Sequence, residues 1–151
     1  GGALYDMGVY CINALRYASG MEPVAVRQVK QFIPERVDLT TEFELVFPGG
    51  LIGKGWTSVI EKRNLLRVDA VEGWYELSPF QEYTSIQGRN SDDRPFPQTV
   101  ANQQAVQMDH DALAIRGDGP ILEPGLGGLR DITILNAIQE SAQSGAEVRL
   151  D

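Results

Sequence analysis

"LTTEFELVFPGGLIGKGWTSVI" (residues 39–60) alternates with a period of two on either side of a glycine-rich turn. Leu39, Thr41, Phe43, Leu45 and Phe47 share one face and Thr40, Glu42 and Glu44 the other, the pattern of a half-buried strand. "PGG" (48–50) supplies a tight turn and residues 51–60 return, so the stretch reads as a β-hairpin. Gly53 and Gly55 alternate within the returning strand. They leave room for a close approach to the sheet, either a bulge or a ligand.

Further strands are predicted on both sides: "VAVRQVKQFI" (24–33), "NLLRVDAV" (64–71), "GWYELSPF" (73–80), "EYTSIQ" (82–87) and a short closing "AEVRLD" (146–151). The opening "GGALYDMGVYCINALRYASG" (1–20) reads as a helix ended by Gly20, with Pro23 just beyond. "NQQAVQMDHDALAI" (102–115), apolar at Ala105, Met108, Ala112 and Ile115, and "LRDITILNAIQESAQSG" (129–145), stopped by Gly145, are two more helices. "RNSDDRPFP" (89–97) is a polar, proline-punctuated loop. A helix, a run of strands and two helices predict an α+β fold. Its expected form is a single open-faced, mostly antiparallel sheet holding strands 24–33, 39–47, 51–60, 64–71 and 73–80, with helices packed on one face. Trp56, Phe43 or Trp74 on the open face would make an apolar patch. That predicts a homo-dimer or tetramer through this face.

The 151 residues suit a single domain. A net charge of −8 with 13 scattered basic residues argues against a nucleic-acid binder and disfavours anionic membranes. No apolar run approaches the ~20 residues a bilayer span needs. The only cysteine, Cys11, has apolar neighbours and reads as a buried, inert thiol. It does not separate cytoplasm, the expected compartment, from periplasm. No Met precedes Gly1, so a piece of a longer chain is expected.

Three short patterns take their plain readings. Consecutive residues of "DHD" (109–111) point about 100° apart on a helix and cannot converge on one ion, so no metal is expected. "RGD" (116–118) lies between a helix end and a turn, and "GLGG" (125–128) lacks a phosphate loop's lysine and reads as a helix N-terminus. No G-x-G-x-x-G follows a strand, so the chain has no dinucleotide fingerprint of its own.

In the opening helix, Tyr10, Asn13 and Tyr17 lie near 40°, 340° and 20° from Asp6, a stripe about 60° wide at about 100° per residue. Such a stripe is either a solvated face or a chemical one. A phenol with a pKa near 10 works as an acid–base group at neutral pH only if a cation or hydrogen bond lowers that value. Asp6, one turn away, would instead orient a hydroxyl or hold a lysine supplied from elsewhere.

"GGALYDMGVY" resembles the G-G-x-L-x-D-x-G-x-[HY] motif of the glucose–fructose oxidoreductase/inositol dehydrogenase (Gfo/Idh/MocA) family. The likeness extends through "RYASGMEPVAV" and "NQQAVQMDH" to "PGLGGLRDITILNAIQESAQSG", and the opening is especially similar to the glucose–fructose oxidoreductase branch. The resemblance implies that residues 1–151 are a C-terminal substrate-binding and oligomerisation domain. It implies a preceding Rossmann domain, outside this chain, that holds NAD(P) and carries the catalytic lysine. By position, Asp6 is the motif aspartate beside the substrate, and Tyr10 is the acid/base where most members have His. Asn13 and Tyr17 line or buttress the pocket, and Lys54 and Arg67 are candidate donors to substrate hydroxyls. The implied reaction passes hydride between a sugar or polyol carbon and nicotinamide, with no cofactor bound by this fragment alone. The alternatives are a non-catalytic binding or oligomerisation module and an NAD-assisted glycosidase of the same family.

Overall fold

The structure, a computed structural model, describes residues 1–84, 86–95, 102–122 and 124–150. In chain order the elements are α1 (Ala3–Ser19), β1 (Ala25–Phe32), β2 (Thr40–Val46), β3 (Ile52–Ser58), β4 (Leu66–Ala70), β5 (Gly73–Leu77), β6 (Gly88–Asn90), α2 (Gln103–Arg116), α3 (Gly125–Ser144) and β7 (Val148–Arg149). They fall into two compact units, Gly1–Lys62 with Gly125–Asp151, and Arg63–Pro124.

The first unit holds an open antiparallel sheet in the order β3-β2-β1-β7. Its centre is the expected hairpin, in register from Thr40 opposite Ser58 to Val46 opposite Ile52. The turn needs its glycines, because Gly49 and Gly50 sit at φ 77° and 84°, a region costly for residues with a Cβ. β1 carries a bulge at Gln28, φ 54°, so that Arg27 faces Glu44 while Lys30 faces Glu42.

α1 and α3 cover one face of this sheet. The core between them contains Leu4 and Ile12 from α1, Val26, Phe43, Leu45 and Phe47 from the sheet region, and Ile134, Leu135 and Ile138 from α3. Gly53 and Gly55 are buried on the same face. A Cβ on Gly55 would strike the Phe43 ring, and one on Gly53 would crowd Phe47 and Leu15 of α1. The room read at these glycines is therefore taken by the chain's own side chains, which is a packing answer and not a ligand.

Across the helix pair, Arg16 of α1, half-buried, bonds the buried Asp131 of α3 at 2.5 Å and Glu22 at 2.7 Å. The hydrogen bond from the Arg16 guanidinium holds the Glu22 carboxyl below its ordinary range. The opposite face of the sheet carries Arg27 and Lys54, at 3.0 and 3.6 Å from Glu44. The expected apolar patch is found only in part: Trp56 lies on this open face with Lys54, while Phe43 is in the core, Trp74 belongs to the second unit, and charges run across the middle of the face.

The expectation of one continuous sheet is also corrected. β4, β5 and β6 pair as a separate three-stranded antiparallel sheet. Directly after β3 the Ser58 hydroxyl accepts N–H bonds from Ile60 and Glu61, which bends the chain out of the ladder. The strand expected at 82–87 lies instead at Gly88–Asn90, paired with β5. Just ahead of the expected segment, of which residue 85 lies outside the described residues, the Asn64 side chain bonds the backbone of Phe80 and Gln81. Residues 96 and 97 of the expected polar loop lie outside the described residues.

α2 forms where expected, capped by the Asn102 side chain on the Ala105 N–H and by left-handed Gly117. It belongs to the second unit and buries none of its residues, with Met108 71% and Ile115 87% exposed. Its apolar residues fall on opposite sides: relative to Val106, Met108 and Ile115 lie near 200° and 180° and Leu113 near 340°, at about 100° per residue. Among the described residues no helix is long and apolar enough to cross a membrane.

Two stability effects follow. Gly55→Ala is expected to cost about 1–3 kcal/mol, as overpacking does in a filled core, read as a lower midpoint in urea unfolding. Arg16→Met leaves the buried Asp131 carboxylate without its partner and should cost about 3–5 kcal/mol; a loss below about 1 kcal/mol would show that the pair does not hold α1 to α3.

Candidate functional site

α1 begins without a capping side chain of its own, because its N-cap residue is Gly2. The cap comes from Asp38, 34 residues from Leu4 and just ahead of β2. The Asp38 carboxylate accepts the Leu4 N–H at 2.7 Å and the Thr41 hydroxyl at 2.7 Å, and its backbone carbonyl accepts the Ala3 N–H at 2.9 Å. A Cβ on Gly2 would run into that carboxylate, which gives the second glycine of the opening pair its physical reason. The placement also sets a carboxylate at the positive end of the helix. At the other end, left-handed Gly20 donates to the Arg16 and Tyr17 carbonyls.

Between these ends the helix has three faces. Leu4, Gly8 and Ile12 are buried, and Gly8 lies close to Leu135, so α1 and α3 approach closely. On the α3 side the Tyr5 hydroxyl donates to Asn136 Oδ1 at 2.8 Å. The Cys11 thiol donates to the Trp56 carbonyl at 3.4 Å, and burial pushes its pKa up, which suits a packing role and not a nucleophile. The third face carries Asp6, Tyr10, Asn13 and Tyr17. Asp6, Tyr10 and Tyr17 are exposed and Asn13 is half-buried. The side chains of Asp6 and Tyr10, one turn apart, make no hydrogen bond or ion pair with any described residue.

The structure thus gathers the four α1 candidates on one surface. Lys54 is not with them, since it alternates with Gly53 and Gly55 and points from the sheet face opposite α1, toward Glu44. Arg67 belongs to the second unit. It lies 4.5 Å over the Trp74 ring, 3.0 Å from Asp69 and 3.7 Å from Glu76. Arg89 stands 5.6 Å from the same ring and 2.7 Å from the same glutamate. No group of three potential metal ligands stands together among the described residues. "RGD" is a helix end, with Arg116 and Asp118 paired at 3.0 Å around Gly117, and "GLGG" is the first turn of α3. Sequence reading missed Asp38. Its signal was an opening helix with no Ser, Thr, Asp or Asn where a cap belongs.

In chemical terms the α1 surface offers a carboxylate that can accept bonds from neighbouring hydroxyls and a phenol that can exchange a proton, both accessible and uncommitted. It offers no glycine-rich strand-to-helix turn for a pyrophosphate.

Comparison with known proteins bears on the family of the chain. The model of the GFO/IDH/MocA C-terminal domain matches residues 1–76. An uncharacterized oxidoreductase of Rhizobium meliloti, ORF334, is 31% identical over 175 residues, covering 96% of this chain and 47% of the relative. The crystal structure of aldose-aldose oxidoreductase from Caulobacter crescentus, complexed with glycerol, matches with a TM-score of 0.87 and 31% identity, over 99% of this chain and 48% of that one. The WlbA dehydrogenase from Bordetella pertussis, solved with NADH and UDP-GlcNAcA, shares the fold with a TM-score of 0.67 and 19% identity, over 100% of this chain and 46% of that one. The chain therefore spans about half the length of the relatives it matches. With half its length matched by the family model and the motif helix folded as described, the chain belongs to the Gfo/Idh/MocA oxidoreductase family, in its C-terminal domain.

Proposed function

We propose that this chain is the substrate-side half of an NAD(P)-dependent oxidoreductase acting on a sugar or polyol. The observation that carries the reading is the α1 surface, where Asp6 and Tyr10 stand one turn apart, exposed and without side-chain partners among the described residues. The nicotinamide, held outside this chain, supplies the hydride acceptor or donor. Tyr10 exchanges a proton with the reacting oxygen, while Asp6 accepts hydrogen bonds from a hydroxyl and fixes the substrate's orientation. Asn13 and Tyr17 extend the same surface and buttress the pocket. A cation from outside the chain, close to the phenol, would bring its proton exchange into the neutral range. Lys54 and Arg67 have no part in this proposal. The aldose-aldose oxidoreductase named above supports a sugar substrate, and the WlbA complex supports NADH as the cofactor type.

The test uses the longer enzyme that contains this chain, assayed with D-glucose, D-xylose and myo-inositol against NAD⁺ and NADP⁺. Tyr10→Phe keeps the ring and removes the phenolic proton. It should lower kcat by roughly 10²–10⁴, the span of a general acid/base, with cofactor affinity unchanged. Asp6→Asn should raise KM for the sugar and lower kcat together. Wild-type turnover in Tyr10→Phe, with a primary isotope effect showing hydride transfer to be rate-limiting, would overturn the assignment.

A further inference from the structure

We infer that Asp38 is a positioning residue for the chemistry at Asp6 and Tyr10; this rests on the function proposed above. Asp38 is only 7% exposed and stands at the lead-in to β2, not on α1. From there it makes three bonds: its carbonyl to the Ala3 N–H, and its Oδ2 to the Leu4 N–H and the Thr41 hydroxyl. Thr41 is fully buried on β2, so the carboxylate is aimed from the sheet. Gly2 gives up a side chain to leave it space. Asp6 sits in the turn so held, and its own N–H bonds the Gly2 carbonyl at 3.1 Å.

An ordinary N-cap comes from the residue next to the helix and fixes only the helix's own first turn. Here the capping group comes from the loop that leads into β2 and is tied to that strand through the Thr41 hydroxyl, so it fixes where the first turn lies against the sheet and how it is rotated. Without the carboxylate the Leu4 N–H loses its partner, only the Asp38 carbonyl still holds the Ala3 N–H, and the turn frays. Fraying moves Asp6, while Tyr10, one turn further on, stays anchored by the packed middle of the helix. The spacing between orienting carboxylate and proton-exchanging phenol is then lost.

The experiment compares Asp38→Ala, Asp38→Asn and Gly2→Ala in the longer enzyme. It measures kcat and KM per folded protein with whichever of D-glucose, D-xylose and myo-inositol is turned over fastest, and amide hydrogen exchange across residues 3–10 without substrate. Asp38→Ala should lower kcat roughly 10–100-fold, the scale of a small misplacement of reacting groups. KM for the nicotinamide cofactor should hold, and exchange in the first turn should quicken. Asp38→Asn keeps an oxygen acceptor and should recover most of the rate. If Asp38→Ala does not fold, Gly2→Ala, which displaces the carboxylate without removing it, should show the same kinetic and exchange changes. The inference is overturned if these variants only lower the melting temperature, with kcat and exchange at residues 3–10 as in the wild type. The two readings fail separately. A fully active Tyr10→Phe defeats the proposed function, whereas a crippled Tyr10→Phe beside a fully active Asp38→Ala defeats only the positioning role.

Discussion

The bonds from Asp38 to the first turn of α1 decide where the helix sits, and most of the first unit is arranged around that point. A helix begins with four N–H groups that its own turns cannot satisfy. Here one residue from the loop ahead of β2 meets two of them, at Ala3 and Leu4. Its neighbour, Leu39, accepts the Val59 N–H at 3.0 Å and donates to the Phe32 carbonyl at 2.8 Å. The two-residue segment therefore ties together the end of β1, the start of β2, the exit from β3 and the entrance to α1. Displacing Asp38 disturbs the entrance to α1 and the start of β2 together.

Held at that point, α1 divides its surface by physical task. Small residues set the distances: Gly8 lets α3 come close, and Gly53 and Gly55 leave the space that Leu15 and Phe43 fill. The ion pair of Arg16 with Asp131 then fixes the far end of the helix against α3 in a site that tolerates no unpaired charge. Packing and charge together consume two faces of the helix. The third is left with no structural duty, and it is the one that carries the carboxylate and the phenols.

What could be read from the sequence was what is decided within a few residues. The hairpin at Pro48–Gly50, the helix stops at Gly20 and Gly145 and the cap at Asn102 are local chemistry, and they lie where periodicity and turn residues put them. The α+β class follows from their order. The face of β3 that the helices cover was not legible, because one side of that strand offers glycines and the other Lys54 and Trp56. Phe43 and Leu15 settle it from other elements. The separate second sheet turns on how one side chain, Ser58, folds back on the two N–H groups beyond it, which alternation of apolar residues does not encode. Asp38 was invisible for the same reason at longer range, since its partner on α1 lies 34 residues away.

This division has an energetic consequence for how such a domain can change. Substitutions at exposed positions without partners usually shift stability by no more than about 0.5 kcal/mol. Asp6, Tyr10 and Tyr17 are positions of that kind, so their identities can vary with little effect on the fold, and a change in turnover there reports chemistry. Asp38, Gly8 and Arg16 are the reverse. Each is enclosed by groups from another element, and each alteration is felt by helix and sheet together. A helix fixed at its start by the sheet, in its middle by a glycine contact and at its end by a buried ion pair keeps its outer residues at constant spacing whatever they are. On the function proposed above, turnover can then be altered on the stripe alone, because the spacing of its residues is set by residues outside it.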